Sequence, residues 1–257
     1  MHLEAAQYAW GALAASIIGF SKTGVPGTGI LMVLIMAAVF GGRLSVGATI
    51  PMLVFADCMA VSFYRAHARW DHLKTLAPWV ISGLFAGTAL LDYFGAHHAR
   101  YDYLSPVIGT MVLAMLALSL LRGRLGDKMV PTSNEGRALT GLVAGFSTMV
   151  SNAAGPVMAI YLTAANLAKN QFMGTTAWYF FIFNLSKVPL LFWLNWRHPN
   201  APIITMQTFI FDLQMFPVIV AAAFSGRWLL PRIPQKPFND TVLVLAAAAA
   251  LYLFVPK

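Results

Sequence analysis

The sequence predicts an all-α integral membrane protein made of two inverted structural repeats, each a re-entrant pair of half-helices plus three long transmembrane helices. Three observations support this prediction. The 257 residues are 59% hydrophobic and only 10% charged, with a mean hydropathy of +0.69, whereas soluble domains are about 25% charged. Apolar segments of membrane length recur along the chain. Sequence matches in the same order relate the two halves.

Six apolar segments are long enough to cross a membrane. At 1.5 Å per residue most of them reach about 27 to 33 Å, close to the thickness of the hydrocarbon core. The lipid bilayer is therefore the expected environment of the chain. The predicted spans are Val46–Tyr64, Leu73–Leu91, Tyr103–Leu121, Phe172–Trp193, Ile203–Phe224 and Phe238–Val255.

Four other apolar segments are shorter and occur as two pairs. The first pair is Ala5–Phe20 with Ile30–Phe40, and the second is Ala138–Met149 with Pro156–Leu167. Each segment reaches only about 16 to 24 Å, and a polar, Gly-rich break separates the members of each pair. We predict two re-entrant hairpins of half-helices.

The two halves of the chain match at nearly constant offsets. The first hairpin matches the second with an offset in residue number of 145 − 19 = 126. The long span that follows each hairpin matches its counterpart with an offset of 174 − 47 = 127, and the next span matches with an offset of 217 − 78 = 139. Ordered matches of this kind indicate a duplication, with repeats at residues 1–125 and 126–257 of one membrane domain. The matched pairs are Gly19 and Gly145, Phe20 and Phe146, Ser21 and Ser147, Gly29 and Gly155, Gly47 and Gly174, Thr49 and Thr176, Asp57 and Asn184, Pro78 and Pro217, and Gly87 and Gly226.

Basic residues predict the orientation in the membrane. Three loops rich in Lys and Arg fall on one side in this topology, and basic loops favour the cytoplasm. Both termini are then periplasmic or external, and each repeat has an odd number of crossings, so the repeats are inverted. No basic region precedes the first apolar segment, so we expect no cleaved signal peptide. The cytoplasmic basic residues are Arg65, Arg69, Lys74, Arg122, Arg124, Lys128, Arg137, Arg227, Arg232 and Lys236.

The Gly-rich breaks predict a binding site near the membrane midplane. We call residues 21–29 the first tip and residues 147–155 the second tip. Irregular backbone at this depth must line protein or a water-filled cavity, and a helix N-terminus follows each break, where free N–H groups favour an anion. Inverted repeats with interrupted helices are typical of transporters. The predicted residues for a small anionic substrate are Ser21, Lys22, Thr23, Gly27, Thr28, Gly29, Ser147, Thr148, Ser151, Asn152 and Gly155.

Ionisable residues inside spans are functional candidates because they are costly in lipid. Lys22 either contacts the anion or forms an ion pair with a neighbour such as Asp57. Asp57 and Lys187 are candidates for coupling or gating: they could pair with each other, or carry a proton or substrate. Asn184 could join them or form hydrogen bonds between helices. Asp212 lies either in the middle of its span or near the membrane interface, depending on where its helix starts, and is not assigned to this set.

Other catalogued chemistry is absent from the sequence. The net charge of +8 resides in short loops between spans and acts as a topology signal, so no nucleic-acid partner is expected. The motif "GVPGTG" lacks the Gly-Lys-Ser/Thr ending of a phosphate-binding loop. The histidines lack metal-ligand spacing, and no nucleophile–base pair is evident. We expect no cofactor, no metal and no enzymatic activity.

The chain resembles the sulfite exporter TauE/SafE family of bacterial membrane permeases over nearly its whole length. The resemblance is carried by "GFSKTGVPGTG", "GATIPMLVFAD" and "ARWDHLKTLAPWVISGLFAG" in the first half, and by "GFSTMVSNAAGPVMAIYL" and "GTTAWYFFIFN" in the second. The first tip departs from the more Gly-rich form expected of the family by carrying Lys22 and Pro26. The resemblance implies movement of sulfur-containing anions, such as sulfite or organosulfonates, across the bacterial cytoplasmic (inner) membrane.

The expected function is therefore secondary transport, in the export direction, of a small sulfur oxyanion or organosulfonate. A channel or carrier for other small anions or carboxylates would use the same tips. A non-transporting membrane scaffold is the alternative from another class. Proton coupling would use Asp57. The specific anion, the coupling ion and the oligomeric state are left open.

Overall fold

The computed structural model describes residues 4–24, 29–97, 102–125, 133–165 and 167–229, which form ten α-helices, one short 3-10 helix and no strand. The predicted span Phe238–Val255 and the predicted site residues Gly27 and Thr28 lie outside these ranges. The helices are α1 (Ala5–Thr23), α2 (Ile30–Phe40), α3 (Gly42–Ala48), α4 (Ile50–Tyr64), α5 (Trp70–Ala96), α6 (Leu104–Leu125), α7 (Asn134–Ser151), α8 (Gly155–Ala164), α9 (Lys169–Arg197) and α10 (Met206–Leu229), with the 3-10 helix at Arg65–His67.

Four helical stretches of the described chain are long and apolar enough to cross a membrane. They are Gly42–His67, Trp70–Ala96, Lys169–Arg197 and Met206–Trp228, with 23 to 29 residues each. A crossing needs about 20 residues. The protein is therefore a multi-pass membrane protein, and the all-helical membrane class predicted from composition is confirmed.

The first helix of each short pair is longer than predicted. α1 has 19 residues and α7 has 18, which gives each about 27 to 28 Å, whereas the predicted segments were Ala5–Phe20 and Ala138–Met149. The prediction of two half-helices per pair is wrong in this respect. The apolar pattern underestimated both helices because polar residues extend them. α1 continues through Lys22, and α7 begins at Asn134, where the Ser133 hydroxyl accepts the N–H of Gly136 at 3.0 Å.

Two predicted spans begin later in the structure than the sequence predicted. The segment predicted at Ile203–Phe224 becomes helical only at Met206. The side-chain oxygen of Asn195 accepts the N–H groups of Ile203 and Ile204 at 2.9 and 3.1 Å, which holds that stretch outside the helix. α6 begins at Leu104, where the Asp102 carboxylate caps it by accepting the Leu104 N–H at 3.1 Å.

Two helix pairs make the most extensive contacts, α5 with α7 and α1 with α10. Glycines allow these helices to approach, as is usual in membrane interfaces. A Cβ on Gly19 of α1 would lie 2.5 Å from the carbonyl oxygen of Ile219 in α10, and a Cβ on Gly145 of α7 would overlap the carbonyl oxygen of Val80 in α5. Both packings bring the first helix of one predicted repeat against a long helix of the other.

Candidate functional site

Described residues of both tips line one cavity of about 700 Å³, counting the part that opens to solvent. α1 and α2 carry the first tip to it, α7 and α8 carry the second, and α9 supplies the wall between them. The polar lining residues are Ser21, Lys22, Gly29, Thr148, Asn152, Gly155, Thr176 and Asn184. The apolar lining residues are Ile18, Ile30, Met32, Leu53, Ala153, Pro156, Ala159 and Phe180.

Lys22 lies in the last turn of α1 and reaches the cavity from there. Its Nζ is 2.6 Å from Oδ1 of Asp57 in α4, and 3.8 Å from the centre of the Phe180 ring in α9. The Lys22 side chain is 12% exposed. The ion pair that the sequence left as one alternative is therefore present, and the same ammonium group also lines the cavity.

Asp57 is fully buried behind Lys22. Its Oδ2 accepts a hydrogen bond from Nδ2 of Asn184 at 2.6 Å. Its Oδ1 has only the Lys22 ammonium as a partner within the described part of the chain. Both carboxylate oxygens are thus engaged. The partners come from α1 and α9, so this carboxylate joins three helices at the cavity wall.

Lys187 of α9 is fully buried and holds the second tip. Its Nζ donates to the Thr148 carbonyl oxygen at 2.9 Å and to Oδ1 of Asn152 at 2.6 Å. An ammonium at the C-terminal end of α7 satisfies carbonyl groups that the helix leaves free and is favoured by the helix dipole. Lys187 therefore bonds to tip residues and not to Asp57, which was the pairing considered from the sequence.

Asn152 is the turning point of the second tip. It is the one non-glycine residue with positive φ in the described ranges, with φ 56° and ψ 21°, a left-handed conformation that asparagine tolerates. Its Nδ2 donates to the carbonyl oxygen of Val46 in α3 at 3.2 Å, so its amide bridges α3 and Lys187. The second tip is fixed from both sides.

Two helix N-termini adjoin the tips, as the sequence predicted. α2 begins at Ile30 after Gly29, and α8 begins at Gly155 after Ala154, with Pro156 in its first turn. Neither helix has a hydrogen bond from a capping side chain. The first N–H groups of α8 lie beside the cavity, where they can donate to a ligand oxygen.

Three of the predicted hydroxyl groups are engaged in helix packing. The Thr23 hydroxyl lies 2.8 Å from the carbonyl oxygen of Ala223 in α10. Those of Ser147 and Ser151 donate within α7, to the carbonyl oxygens of Ala144 and Ser147. These three side chains are buried and do not line the cavity. Ser21 and Thr148 do line it.

Two lining residues were missed by the sequence reasoning. Thr176 in α9 has a buried hydroxyl oxygen without a partner among the described residues, and the repeat match with Thr49 was the signal that could have indicated it. Phe180, one turn later in α9, lies under the Lys22 ammonium. An aromatic residue in an apolar span gives no separate signal in the sequence.

Three charged side chains lie at or behind the cavity wall. Lys22 lines the cavity, whereas Asp57 and Lys187 are fully buried behind it. Lys22 and Lys187 contribute two ammonium groups and Asp57 one carboxylate, which is a formal charge of +1 when all three are ionised. Hydroxyl, amide and helix N–H donors surround the same space. Within the described residues, no group of three or more His, Cys, Asp or Glu side chains could hold a metal ion. The arrangement is suited to an anion.

Several membrane-spanning helices around a cavity that an ionisable side chain lines are typical of the transport class of membrane proteins. The comparison with protein families agrees. The family described as "Sulfite exporter TauE/SafE" matches residues 11–253, and the chain belongs to this family. It is therefore a multi-pass membrane protein of a transporter family. Neither the curated proteins nor the solved structures contained a match.

Proposed function

We propose that the protein is a secondary transporter that exports a small sulfur oxyanion or organosulfonate, such as sulfite, across the bacterial inner membrane. The family membership supports the class of substrate. The observation that carries the proposal is the position of Lys22, a cation that lines the cavity between the two tips while paired with a buried carboxylate. The substrate anion is bound there.

The Lys22–Asp57 pair explains how the empty site tolerates a lysine. An unpaired charge is costly inside a membrane, and Asp57 compensates it when no anion is bound. An arriving anion takes over part of that role by bonding to the exposed side of the ammonium. The remaining donors of the proposed site are Ser21, Thr148, Asn152, Thr176 and the N-terminus of α8 at Gly155. Gly27 and Thr28 stay predicted members of the first tip.

The apolar part of the lining favours a ligand with a carbon chain as well as an anionic group. Ile30, Met32 and Leu53 line the same cavity as Lys22. Burying one methylene group of a ligand against such apolar side chains stabilises the complex by about 0.8 kcal/mol. A short organosulfonate, which has both an anionic group and a carbon chain, fits this partly polar and partly apolar lining better than sulfate does. A short carboxylate fits it too, so a carboxylate carrier is the second candidate.

Matched contacts support two inverted repeats at residues 1–125 and 126–257. Gly19 packs on Ile219, and Gly145 packs on Val80. The glycines differ by 145 − 19 = 126 and their partners by 219 − 80 = 139, which are the two offsets found in the sequence. The same packing therefore occurs twice with the roles of the repeats exchanged.

A second pair of contacts repeats in the same way. Gly47 packs on the carbonyl oxygen of Ile203, and Gly174 packs on that of Tyr64, with differences of 174 − 47 = 127 and 203 − 64 = 139. Equivalent residues of two repeats can touch each other only near the axis that relates the repeats. The hydrogen bond between Asp57 and Asn184 thus supports an axis at the cavity, where alternating access would operate.

Contacts among helix ends support the proposed orientation, with both termini periplasmic. The guanidinium carbon of Arg227, at the end of α10, lies 4.8 Å from the centre of the ring of Phe63, which precedes Arg65 by two residues. The backbone N–H of Arg69 donates to the Thr175 hydroxyl near the start of α9. These basic positions share one side, which we assign to the cytoplasm. Export of an anion then gains about 2.3 kcal/mol per charge per 100 mV.

Ligand-dependent thermal stability of the purified protein tests the proposal. Sulfite, sulfate, thiosulfate, a short sulfonate and acetate are compared for the wild type, Lys22→Gln and the control Lys169→Gln, which changes an exposed lysine. We expect one sulfur anion to raise the melting temperature of the wild type and the control, but not of Lys22→Gln. Stabilisation by acetate alone would favour the carboxylate carrier. No stabilisation by any anion would favour a non-transporting scaffold.

A further inference from the structure

Asp212 of α10 is a buried carboxyl group that the cavity does not use. Its side chain is 0% exposed, and neither of its oxygens has a hydrogen-bond partner in the described part of the chain. It is not among the residues that line the cavity. Asp57 is equally buried but differs in its partners, because Lys22 and Asn184 engage its two oxygens.

Aromatic contacts show how α10 lies against α4. The rings of Phe55 and Phe216 stack with centres 4.1 Å apart, and those of Phe63 and Phe224 contact at 5.7 Å. Both pairs advance by eight residues, since 63 − 55 and 224 − 216 are equal. α4 and α10 therefore run side by side in the same direction, and Asp212 lies level with the first turn of α4.

α1 also packs on α10 and runs in the same direction. The Phe211 ring fills the space beside Gly11, and the Thr23 hydroxyl reaches the Ala223 carbonyl oxygen. Asp212 is thus roughly 15 Å before Lys22 along α1 and roughly 9 Å before Asp57 along α4. In the proposed orientation this displacement is towards the external side.

The charged groups of the helices packed on α10 have partners elsewhere. On α1, Glu4 caps the helix and Lys22 pairs with Asp57 of α4. On α3, Arg43 donates through Nε and Nη1 to the carbonyl oxygens of Ala201 and Leu91. Its Nη2 has no hydrogen-bond partner among the described residues and lies beside Gly95 of α5. The other titratable side chains of these three helices are those of Tyr8, which packs its ring on Phe211, Cys58, which is exposed, and Tyr64, which donates to the Thr23 carbonyl oxygen.

An ionised carboxylate with no partner is strongly disfavoured in such surroundings. From this geometry we infer that Asp212 is a proton-binding site that couples anion transport to proton movement. The carboxylate takes one proton from hydronium on one side of the membrane, giving the neutral acid and water, and returns it to water on the other side. The inference rests on the proposed transport function.

The burial of Asp212 connects proton exchange to conformation. Since the side chain is 0% exposed, water can reach it only when α10 separates from α1 or α4. Those two helices also carry Lys22 and Asp57. A movement that opens the anion site can therefore open the proton site, which is what coupling requires.

Transport in reconstituted vesicles tests the inference. The probe is methanesulfonate, whose charge does not change over the working pH range, and the membrane potential is held at zero. With one proton per anion, a gradient of one pH unit corresponds to about a tenfold change in the steady-state anion ratio. We expect this tenfold effect in the wild type and in the control Asp71→Asn, which changes an exposed carboxylate. Asp212→Asn should lose it while retaining methanesulfonate exchange.

The outcomes separate the inference from the proposed function. If the wild type does not move methanesulfonate, the proposed organosulfonate transport is wrong. If the wild type moves it without a pH effect, or if Asp212→Asn keeps the effect, the proton site is wrong and the transport function stands. The wild type also allows a test without a variant that has to fold. A hydrophobic carbodiimide, which modifies protonated carboxyl groups, should label Asp212 and not Asp57, and an unlabelled Asp212 would overturn the inference.

Discussion

Replacing Asp57 by asparagine should make the stability of the protein depend on bound anion. The substitution keeps the size of the side chain and removes the negative charge that lies 2.6 Å from Lys22 Nζ. Two unit charges at this distance interact by about 6 kcal/mol with an effective dielectric constant of about 20. Breaking one side of a buried pair costs about 3 to 5 kcal/mol because the other charge stays unpaired.

The melting temperature of Asp57→Asn without ligand should therefore fall by roughly 6 to 20 °C. A saturating anion should restore most of this loss, because it provides the counter-charge that Lys22 has lost. The shift caused by ligand should be larger in Asp57→Asn than in the wild type. The assay is a thermal melt with and without the sulfur anion that stabilises the wild type.

The double variant Lys22→Met/Asp57→Asn is the matched control, because it removes both charges. It should melt closer to the wild type than Asp57→Asn does, and the anion should not stabilise it. If Asp57→Asn melts like the wild type without ligand, or gains no more from the anion than the wild type does, the anion does not replace Asp57 at Lys22. The proposal that Asp57 and the substrate anion both pair with Lys22 would then be refuted.

Three further substitutions test separate parts of the structure. Thr176→Val removes a cavity hydroxyl that has no partner in the described part of the chain. It should weaken anion binding by about 1 kcal/mol, roughly fivefold, in a ligand titration, whereas Thr163→Val on the exposed face of α8 should not. Gly145→Ala should lower stability by about 1 to 3 kcal/mol because its Cβ meets the backbone of α5; an unchanged melting temperature would contradict that close approach. Lys187→Met should speed hydrogen exchange at residues 148–154, since two tip oxygens lose their donor, and unchanged exchange would show that the tip is held by other contacts.

Backbone breaks were predictable from the sequence because glycine and proline act locally. The start of α8 at Gly155, with Pro156 in its first turn, follows from the missing N–H of proline and needs no knowledge of the rest of the fold. The lengths of α1 and α7 were not predictable in this way. Lys22 and Asn134 lie outside the apolar segments, yet both are helical in the structure. The Lys22 side chain reaches the cavity, and Asn134 is the first residue of α7.

Partners of the buried charges depend on tertiary structure and could not be assigned from sequence spacing. Asp57 and Asn184 were matched as equivalent residues, but equivalence alone does not show that they touch. The charge of Lys187 made it a reasonable partner for Asp57. In the structure Lys187 instead donates a hydrogen bond to the Thr148 carbonyl oxygen at the end of α7. Asp212 has no hydrogen-bond partner among the described residues. This depends on how α10 packs and could not be read from the sequence.

The two proposed repeats share their packing but not their charges. The offset of 126 relates Lys22 to Thr148, and the offset of 127 relates Asp57 to Asn184 and Ala60 to Lys187. A transporter with identical halves would have outward-open and inward-open states of equal free energy. In this protein the two halves exchange conformations when the transporter changes state. Lys22 and Lys187 have no charged equivalent in the other half, so the two states place these charges in different surroundings. In the proposed mechanism the free energies of the two states therefore differ through the protein's own side chains. This difference sets the populations of the two states and the apparent anion affinity on each side of the membrane, whereas the direction of net transport is set by the anion gradient and the membrane potential.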